Sequence, residues 1–436
     1  MPLAARFDEY GDVGREEDIA RLVNASVDRS GRIDVSSLNE VIRDDESTPD
    51  LLLRVAERLT PTDARLAREV YLEALSVEIS RGPGSNLGVS AVWKALPAAP
   101  PAPGSPQATD LALDGLIERF TEGYSAALAP LRRALDAFTA HDDTTDRGRW
   151  GRLMTSIALE LWDDKRWLAV AARRRASGHQ TGRAIPLDAM IDANLGMVAP
   201  ADCRSVSTEA YSKAVICNGL GRYEEAREAA RWVVEREDLG FSGWALSELV
   251  EAATRTGRSD LATQGLTRLR DRTQASGTEL ALGIESRACA LVTEDQAAEV
   301  EYRRSIEYLC RTSVRAHLAR SHLVYGEWLR RENRRVDARL QLRIAQMIFD
   351  DLCSKSFSER TCRELLATGE MVQKRLVPTY CELTPQEEHI ARLASNRLTN
   401  SEIGTQLFIS HRTVEWHLYK VFKKLGVTSR RELRLS

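Results

Sequence analysis

The sequence LTPQEEHIARLASNRLTNSEIGTQLFISHRTVEWHLYKVFKKLG, at residues 383–426, decides the fold of the C-terminal end of this chain. It and the residues just after it contain four helix starts, recognised by side chains whose oxygens accept hydrogen bonds from free backbone N–H groups. The predicted starts are Thr384 with Glu387, Thr399 with Glu402, Ser410, and Thr428. Pro385 also fits the first turn of the first helix, where no N–H donor is needed. Four short helices are therefore predicted.

Apolar residues follow helical spacing in the first three of these helices. They are Ile390, Leu393 and Ala394 in the first, Ile403 and Leu407 in the second, and Val414, Leu418, Val421 and Leu425 in the third. Gly404 is small where the second helix must cross the third, and Gly426 is expected to end the third helix. Only residues 408–410 separate the second helix from the third, which is the layout of a helix-turn-helix.

The C-terminal segment is basic although the chain as a whole is not. The chain has a formal net charge of −3, whereas residues 383–436 contain nine basic and five acidic residues. A small basic end on an acidic body favours a nucleic-acid ligand.

The third predicted helix presents a polar face opposite its apolar positions. Side chains on or beside this face that can hold phosphates are Arg412, Thr413, Lys420, Lys423 and Lys424. Those that can reach base edges in the major groove are Glu415, Trp416 and Tyr419. The alternative is a basic four-helix cap whose polar face is only solvated.

These motifs resemble the LuxR-type helix-turn-helix of bacterial transcription regulators. The resemblance is carried by LTPQE at 383–387, NSEIG at 400–404, SHRTVEWH at 410–417, VFKKLG at 421–426 and SR at 429–430. It implies that two copies read inverted half-sites as a homodimer, commonly through the fourth helix, here residues 428–435. The expected partner is then double-stranded DNA with an imperfect palindromic operator.

A repeated pattern occupies the middle of the chain. GRYEEA begins at Gly221, GRSDLA at Gly257 and TEDQAA at Thr293, at a spacing of 36 residues, and RRVDA follows at Arg334. Each lies between two helical apolar patterns, so the unit is predicted to be helix, short turn, helix. At least four such hairpins are expected within residues 205–352, with an earlier second helix at residues 122–135.

This period predicts stacked helical hairpins, because one hairpin cannot bury its own apolar face. The units resemble tetratricopeptide repeats, although the family's first-helix Trp and closing Pro are mostly absent. Ala226, Ala262 and Ala338 are expected where two helices approach closely. An irregular helical bundle is the alternative.

A wider resemblance, over roughly residues 110–436, is to the large ATP-binding LuxR regulators. It rests on EWH at 415–417, YGEWLRRENRRVDAR at 325–339 and RELLATGE at 363–370. That family places an ATPase before a tetratricopeptide-like sensor or interaction region. GREEDIARL at 14–22 resembles the start of such an ATPase, but no Walker motif follows it, so the chain is interpreted as lacking one. Tyr419 also departs from the usual basic residue, which leaves the target sequence open.

No enzyme class is indicated by the sequence. It lacks the Walker A, G-x-S-x-G, H-E-x-x-H and G-x-G-x-x-G motifs, so no catalytic residue, cofactor or metal is expected. The adjacent Asp163 and Asp164 are interpreted as an exposed turn between repeat helices. His317 and His322 are five residues apart, off a common helical face, and are interpreted as surface or helix-groove residues.

The compartment predicted from the sequence is the cytoplasm, with the protein on nucleoid DNA. No secretion signal or membrane span is recognised. Seven scattered cysteines without a CxxC pair are typical of free thiols in a reducing cytosol.

Five segments are predicted. Residues 1–96 form an N-terminal helical segment, interpreted as an ATPase remnant, and residues 97–110 form a Pro/Ala-rich linker. Residues 111–370 form the helical-repeat domain, 371–382 a second linker, and 383–436 the DNA-binding domain.

The predicted fold is all-α, a tetratricopeptide-like helical-repeat array followed by a four-helix LuxR-type helix-turn-helix domain. The predicted function is sequence-specific transcription regulation, with an unknown protein or ligand received by the array. One alternative is a helical-repeat scaffold whose basic C-terminal cap binds an acidic protein. Another is an ATP-driven regulator with an unorthodox nucleotide site.

Overall fold

The computed structural model of the protein describes residues 48–81, 91–140, 144–176, 206–236, 239–370, 385–395 and 398–407, together with His411, Val414, Glu415, Leu418 and Val421. These residues form eighteen α-helices and one short 3-10 helix, and no β-strand is found among them. The predicted all-α fold class is therefore confirmed. The chain divides into two compact units, Met1–Tyr325 and Gly326–Ser436.

The first described helices are α1 (Thr48–Leu59), α2 (Ala64–Arg81) and α3 (Ala91–Ala95). Within the predicted N-terminal helical segment at residues 1–96, the chain turns between α1 and α2. Pro61 lies in this turn, and the carboxylate of Asp63 accepts a hydrogen bond from the backbone N–H of Leu66 at 3.0 Å. Asp63 therefore starts a new helix by capping it.

Residues 99–107 of the predicted linker at 97–110 form a loop, which follows a 3-10 helix at Leu96–Ala98. The loop is held by the buried Arg68 of α2. Its Nη1 donates to the Pro100 carbonyl oxygen at 2.7 Å, and its Nε donates to the Asp110 carboxylate at 2.7 Å. This contact fixes the loop where α4 (Ala108–Thr121) begins.

Three further helices follow: α5 (Tyr124–Ala140), α6 (Thr144–Glu160) and α7 (Asp164–Ala176). The buried carboxylate of Glu160 joins this group to the next helices. It accepts from Arg119 Nε and from the backbone N–H of Gly240, both at 2.8 Å. Nearby, Trp244 Nε1 donates to the Leu159 carbonyl oxygen at 3.0 Å. A buried carboxylate held by these donors is satisfied, and we regard it as structural.

The predicted repeats of the first unit are three helix pairs. They are α8 (Val206–Leu220) with α9 (Tyr223–Arg236), α10 (Phe241–Arg255) with α11 (Ser259–Ser276), and α12 (Glu279–Val292) with α13 (Asp295–Leu309). Gly221 and Gly257 form the first two turns with φ of 79° and 69°, a region that favours glycine. The predicted burial of Ala226 and Ala262 is confirmed.

A fourth pair consists of α14 (Arg315–Arg331), which crosses the boundary between the two units, and α15 (Arg335–Asp351). The predicted burial of Ala338 in α15 is confirmed. A Cβ at Gly326 would lie 2.7 Å from Leu342 Cγ, so only glycine allows this approach of α14 to α15. Helix α16 (Lys355–Ala367) follows. Assignment of these pairs to the tetratricopeptide class remains a prediction.

Charged side chains lie in the interior of the first unit, on the first helices of successive pairs. Arg320 on α14 is buried and donates through Nη2 to Glu248 at 2.9 Å and to Glu251 at 2.7 Å. Asn218 on α8 also donates to Glu248, at 2.8 Å. Arg287 Nη1 lies 3.1 Å from His317 Nδ1. Burial, and then the charge of Arg320, lower the pKa of Arg287 to about 10.

The interpretation of His317 and His322 as surface or groove residues is wrong, because both are buried. His317 contacts Arg287 and the ring of Trp244, with 5.5 Å between ring centroids. Periodicity alone could not reveal this, since α14 buries a polar stripe as well as an apolar one.

Asp163 and Asp164 lie at a turn, as predicted, but they are buried rather than exposed. Asp163 accepts from the backbone N–H of Arg166 at 3.0 Å, which caps α7. The Asp164 carboxylate accepts from the backbone N–H and the hydroxyl of Ser313, at 2.9 and 2.8 Å. A loop distant in sequence therefore covers this turn.

One described cysteine departs from the free thiols that are typical of a reducing cytosol. Among the described residues, Cys217, Cys289, Cys310 and Cys362 are free, whereas Cys353 is disulfide-bonded. Cys353 lies in the turn between α15 and α16. A disulfide needs proximity in space, which the spacing of cysteines in a sequence does not reveal.

Within the described ranges, no helix is long and apolar enough to cross a membrane. The same residues contain no group of three or more His, Cys, Asp or Glu side chains placed to hold a metal ion.

Candidate nucleic-acid interface

A small apolar core organises the C-terminal end of the chain. It is shared by α17 (Pro385–Ser395), α18 (Asn400–Leu407) and the described residues of the third predicted helix. The buried members are Ile390, Ala391, Ala394, Ile403, Val414, Leu418 and Val421, with Leu393 and Leu398 packed against them. Every predicted apolar position whose side chain is described lies in or against this core. The helical spacing in the sequence therefore identified the correct faces.

The start of α18 is fixed by the predicted capping box. The backbone N–H of Thr399 donates to the Glu402 carboxylate at 2.6 Å, and the backbone N–H of Glu402 donates to Thr399 Oγ1 at 3.3 Å. Two free N–H donors at the helix N-terminus are thereby satisfied. The other predicted N-caps, Thr384, Ser410 and Thr428, lie outside the described residues, although α17 begins at Pro385 as expected.

The described residues of the third helix define its inner face. Val414, Leu418 and Val421 follow spacings of four and three and are buried. Glu415 is exposed, since one residue along a helix turns the side chain by about 100°. The third helix therefore faces the core with the residues that the sequence predicted.

Glu415 is the single predicted contact residue that the structure describes, and its side chain is accessible to a ligand. The other predicted base-facing residues, Trp416 and Tyr419, lie outside the described residues. So do the predicted phosphate-facing residues Arg412, Thr413, Lys420, Lys423 and Lys424. Their roles stay predictions.

Two exposed residues were not assigned a role by the sequence analysis. His411 lies at the start of the third helix, and Arg392 lies in the last turn of α17. The third helix of this domain is the second helix of the helix-turn-helix motif. The N-terminal residues of that helix contact base edges in such motifs. The position of His411 directly after the predicted N-cap Ser410 was the signal that could have identified it.

Comparison with known protein families finds a match for this part of the chain. Residues 382–435 match the family described as bacterial regulatory proteins, luxR family. The match covers α17, α18 and the described residues of the third helix. It therefore coincides with the apolar core described above.

Relatives with similarity to the C-terminal region include two HTH-type transcriptional regulators. An HTH-type transcriptional regulator of Mycobacterium tuberculosis is 43% identical over 65 residues, which is 15% of this chain and 7% of that protein. The HTH-type transcriptional regulator AlkS of Alcanivorax borkumensis is 34% identical over 89 residues, 20% of this chain and 10% of that protein. The similarity thus spans a small part of each relative.

Proposed function

Because residues 382–435 form a LuxR-family helix-turn-helix domain, we propose that this chain is a sequence-specific transcription regulator that docks its third helix in the major groove of DNA. The observation that carries the proposal is the agreement between the family match and the buried core around Val414, Leu418 and Val421. With that face turned inward, the opposite face of the same helix is the one available to DNA.

We assign base reading to Glu415, Trp416 and Tyr419. Glu415 is exposed and acidic within a basic segment. Its carboxylate is repelled by phosphates, but it can accept a hydrogen bond from the amino group of cytosine. An aromatic side chain can pack on base edges or thymine methyl groups.

We assign phosphate contacts to the cationic and hydroxyl residues of the same helix, namely Arg412, Thr413, Lys420, Lys423 and Lys424. Each cation that neutralises a phosphate releases counterions, which makes binding strong at low salt and independent of sequence. These contacts would fix the register in which the base-reading residues act.

The regulator is proposed to act as a homodimer on an imperfect palindrome, in the cytoplasm and on nucleoid DNA. Two-fold symmetry of the protein is mirrored in the operator, with half-sites about one helical turn apart. The proposal includes no catalytic step.

The helical pairs α8 to α15 are proposed to be a sensor or interaction region that receives a protein or small ligand. Stacked helical hairpins build extended surfaces suited to such partners. The burial of Ala226 and Ala262 in second helices supports the stacked arrangement within the first unit.

The test is a binding selection on randomised DNA duplexes with the full chain. The wild type should enrich one imperfect palindrome. Lys423→Ala should weaken binding to all DNA sequences alike. It should also lower the slope of log affinity against log salt concentration by about one. Glu415→Ala should change the preferred base at one position, because the lost base contact contributes about 1–3 kcal/mol of discrimination against the other bases.

Glu228→Ala, an exposed change on α9, is the matched control and should leave the selected motif and affinity unchanged. Enrichment of no sequence by the wild type would contradict the proposal and favour the scaffold alternative. If Lys423→Ala changed the motif while Glu415→Ala kept it, the assigned faces of the third helix would be wrong.

A further inference from the structure

Two buried side chains in the first unit have hydrogen-bonding atoms that no described residue satisfies. Arg287 on α12 is 1% exposed, and His317 on α14 is fully buried. Arg287 Nη1 lies 3.1 Å from His317 Nδ1 and 3.3 Å from the His317 carbonyl oxygen. Arg287 Nη2 and His317 Nε2 have no partner in the part of the chain that the structure describes. Buried polar atoms nearly always have a partner, so each exception calls for an explanation.

Both of these unsatisfied atoms are donors. A guanidinium stays protonated in proteins and has no acceptor. Because Arg287 Nη1 can only donate, His317 Nδ1 accepts, and the neutral imidazole then has its proton on Nε2. Burial, followed by the charges of Arg287 and Arg320, holds the pKa of His317 well below its ordinary value, which keeps the ring neutral. What the two side chains lack is therefore an acceptor.

One small ligand can reach both donors. Nη1 and Nη2 are bonded to the same carbon of Arg287, and Nδ1 and Nε2 to the same carbon of His317. The contact between Nη1 and Nδ1 therefore keeps the two unsatisfied donors near each other. The ring of Trp244 on α10 lies beside His317, with 5.5 Å between ring centroids, so the surroundings are partly aromatic and exclude water. Hydrogen bonds to charge are strong in such surroundings.

The nearby charges favour a ligand with a single negative charge. Glu248 and Glu251 interact electrostatically with Arg287, but both accept hydrogen bonds from Arg320. The hydrogen bonds of Arg287 go only to His317, so this buried cation is not paired with a carboxylate. A buried charge without a paired counter-charge is costly. The carboxylates of Glu248 and Glu251 disfavour a ligand with two negative charges, such as sulfate.

We propose that Arg287 and His317 form an enclosed binding site for the carboxylate group of a small organic acid. A carboxylate has two acceptor oxygens, no donor and one negative charge, and arginine binds it through parallel hydrogen bonds. The proposal rests on the sensor role proposed for this region and names the chemistry of its ligand. Because Arg287, His317 and Trp244 belong to the first helices of three successive pairs, the bound ligand stabilises the stacking of those pairs.

Binding is measured without DNA, so that its failure is distinguishable from failure of the proposed function. A chain that ignores carboxylates can still select an operator. A chain that selects no operator can still bind a carboxylate through Arg287.

The first experiment follows thermal unfolding of the full chain during titration with sodium formate, the smallest carboxylate, at about pH 8, where histidine is neutral. A bulky sulfonate salt keeps the ionic strength constant. The melting temperature of the wild type should rise along a saturating curve, because a ligand that binds only the folded state stabilises it. Arg287→Met should weaken formate binding at least about tenfold. Arg231→Met, a change at an exposed arginine, should respond like the wild type.

The absence of a saturating rise in the wild type would overturn the proposal, and so would an equal rise in Arg287→Met. A rise with sulfate but not with formate would overturn the assignment to a carboxylate.

The same variant separates a ligand site from a structural role. Without formate, Arg287→Met should unfold at or above the melting temperature of the wild type, because it removes a buried cation that has no paired anion. A large loss of stability in formate-free Arg287→Met would show that Arg287 is needed for folding, and it would contradict the assigned role.

The second experiment locates the site in the wild type, using protein labelled with nitrogen-15 at histidine. The variant His317→Gln identifies the His317 signals by their loss. Formate should shift the Nε2 signal of His317, which is the donor to the ligand, and leave the signals of the exposed His411 in place. An unmoved His317 signal at formate concentrations that raise the melting temperature would place the carboxylate elsewhere and overturn the proposal.

Discussion

At the scale of single residues, Arg320 is the cation that compensates buried carboxylates in the interior of the first unit. This guanidinium is buried against the carboxylates of Glu248 and Glu251, which are themselves buried. Removing one partner of such a cluster leaves charge uncompensated away from water, which costs far more than the loss of a surface ion pair. Arg320 is thus expected to matter more for stability than most of the arginines of the chain.

Arg320→Met should lower the free energy of unfolding by about 3–5 kcal/mol, because two buried carboxylates lose their main cation. Denaturant titration followed by circular dichroism measures the change. Arg231→Met is the control, since Arg231 forms an exposed pair with Glu235 at 3.5 Å and should have no measurable effect. Equal effects of the two changes would contradict the assigned role.

His317 makes stability depend on pH. Burial first, and then the charges of Arg287 and Arg320, hold its pKa well below the ordinary value of 6.5. The unfolded chain therefore binds a proton near pH 6.5 that the folded chain does not. Above pH 6.5 this difference in proton binding does not lower the free energy of unfolding. As the pH falls below 6.5, the unfolded chain is stabilised by its proton and the free energy of unfolding decreases.

Between pH 7 and pH 5.5, the melting temperature of the wild type should fall more steeply than that of His317→Gln, which has no titrating group at this site. Thermal unfolding in buffers of constant ionic strength measures both slopes. Thr267→Ser, an exposed change that removes no titrating group, is the control and should keep the wild-type slope. Parallel slopes for wild type and His317→Gln would show that the proton uptake lies elsewhere.

At the scale of elements, helix pairs are held by small residues at crossings. Ala226 on α9 is fully buried. Ala226→Arg should destabilise the array strongly, because a long charged side chain cannot be accommodated at a buried alanine position. Helicity and thermal unfolding report the loss, and Glu228→Arg on the exposed side of α9 should leave both unchanged. Unaltered unfolding of Ala226→Arg would count against the stacked-hairpin assignment.

The start of α18 is a second case at this scale. Thr399→Ala removes the oxygen that accepts from Glu402 N and should cost about 1 kcal/mol of local stability. Hydrogen exchange of the α18 amides measures it. Thr399→Ser keeps the hydroxyl and should exchange like the wild type. Faster exchange in both variants would show that the methyl group, rather than the cap, stabilises this turn.

At the scale of the whole molecule, dimeric binding predicts the form of the operator. Footprinting of the full chain on its selected DNA should protect two inverted half-sites about one helical turn apart. Inserting five base pairs between them rotates one half-site by about half a turn and should sharply weaken binding, whereas inserting ten should weaken it less. Equal affinity for all three spacings would contradict paired recognition.

Much of the C-terminal domain was predictable because its signals are local. Capping boxes and apolar spacing depend on residues three or four apart, so Thr399, Glu402 and the core positions Val414, Leu418 and Val421 were all identified correctly. The burial of the repeat alanines was predictable for the same reason, since each alanine lies at a fixed place after a recognisable turn.

The errors concern residues whose surroundings are distant in sequence. Asp164 is covered by Ser313, and His317 is enclosed by Arg287 and Trp244 from other helices. A polar side chain that is buried with a partner looks the same in a sequence as one that is solvated.

The sequence by itself determined that the fold is all-α, where α18 begins and which residues of the C-terminal helices face their core, because these features depend on capping and helical period. The tertiary structure alone decided that Arg287, His317 and Arg320 are interior. The physical reason is that burial depends on which helices stack beside a residue. That stacking is a sum of many contacts between distant residues, and it is not encoded at any one position.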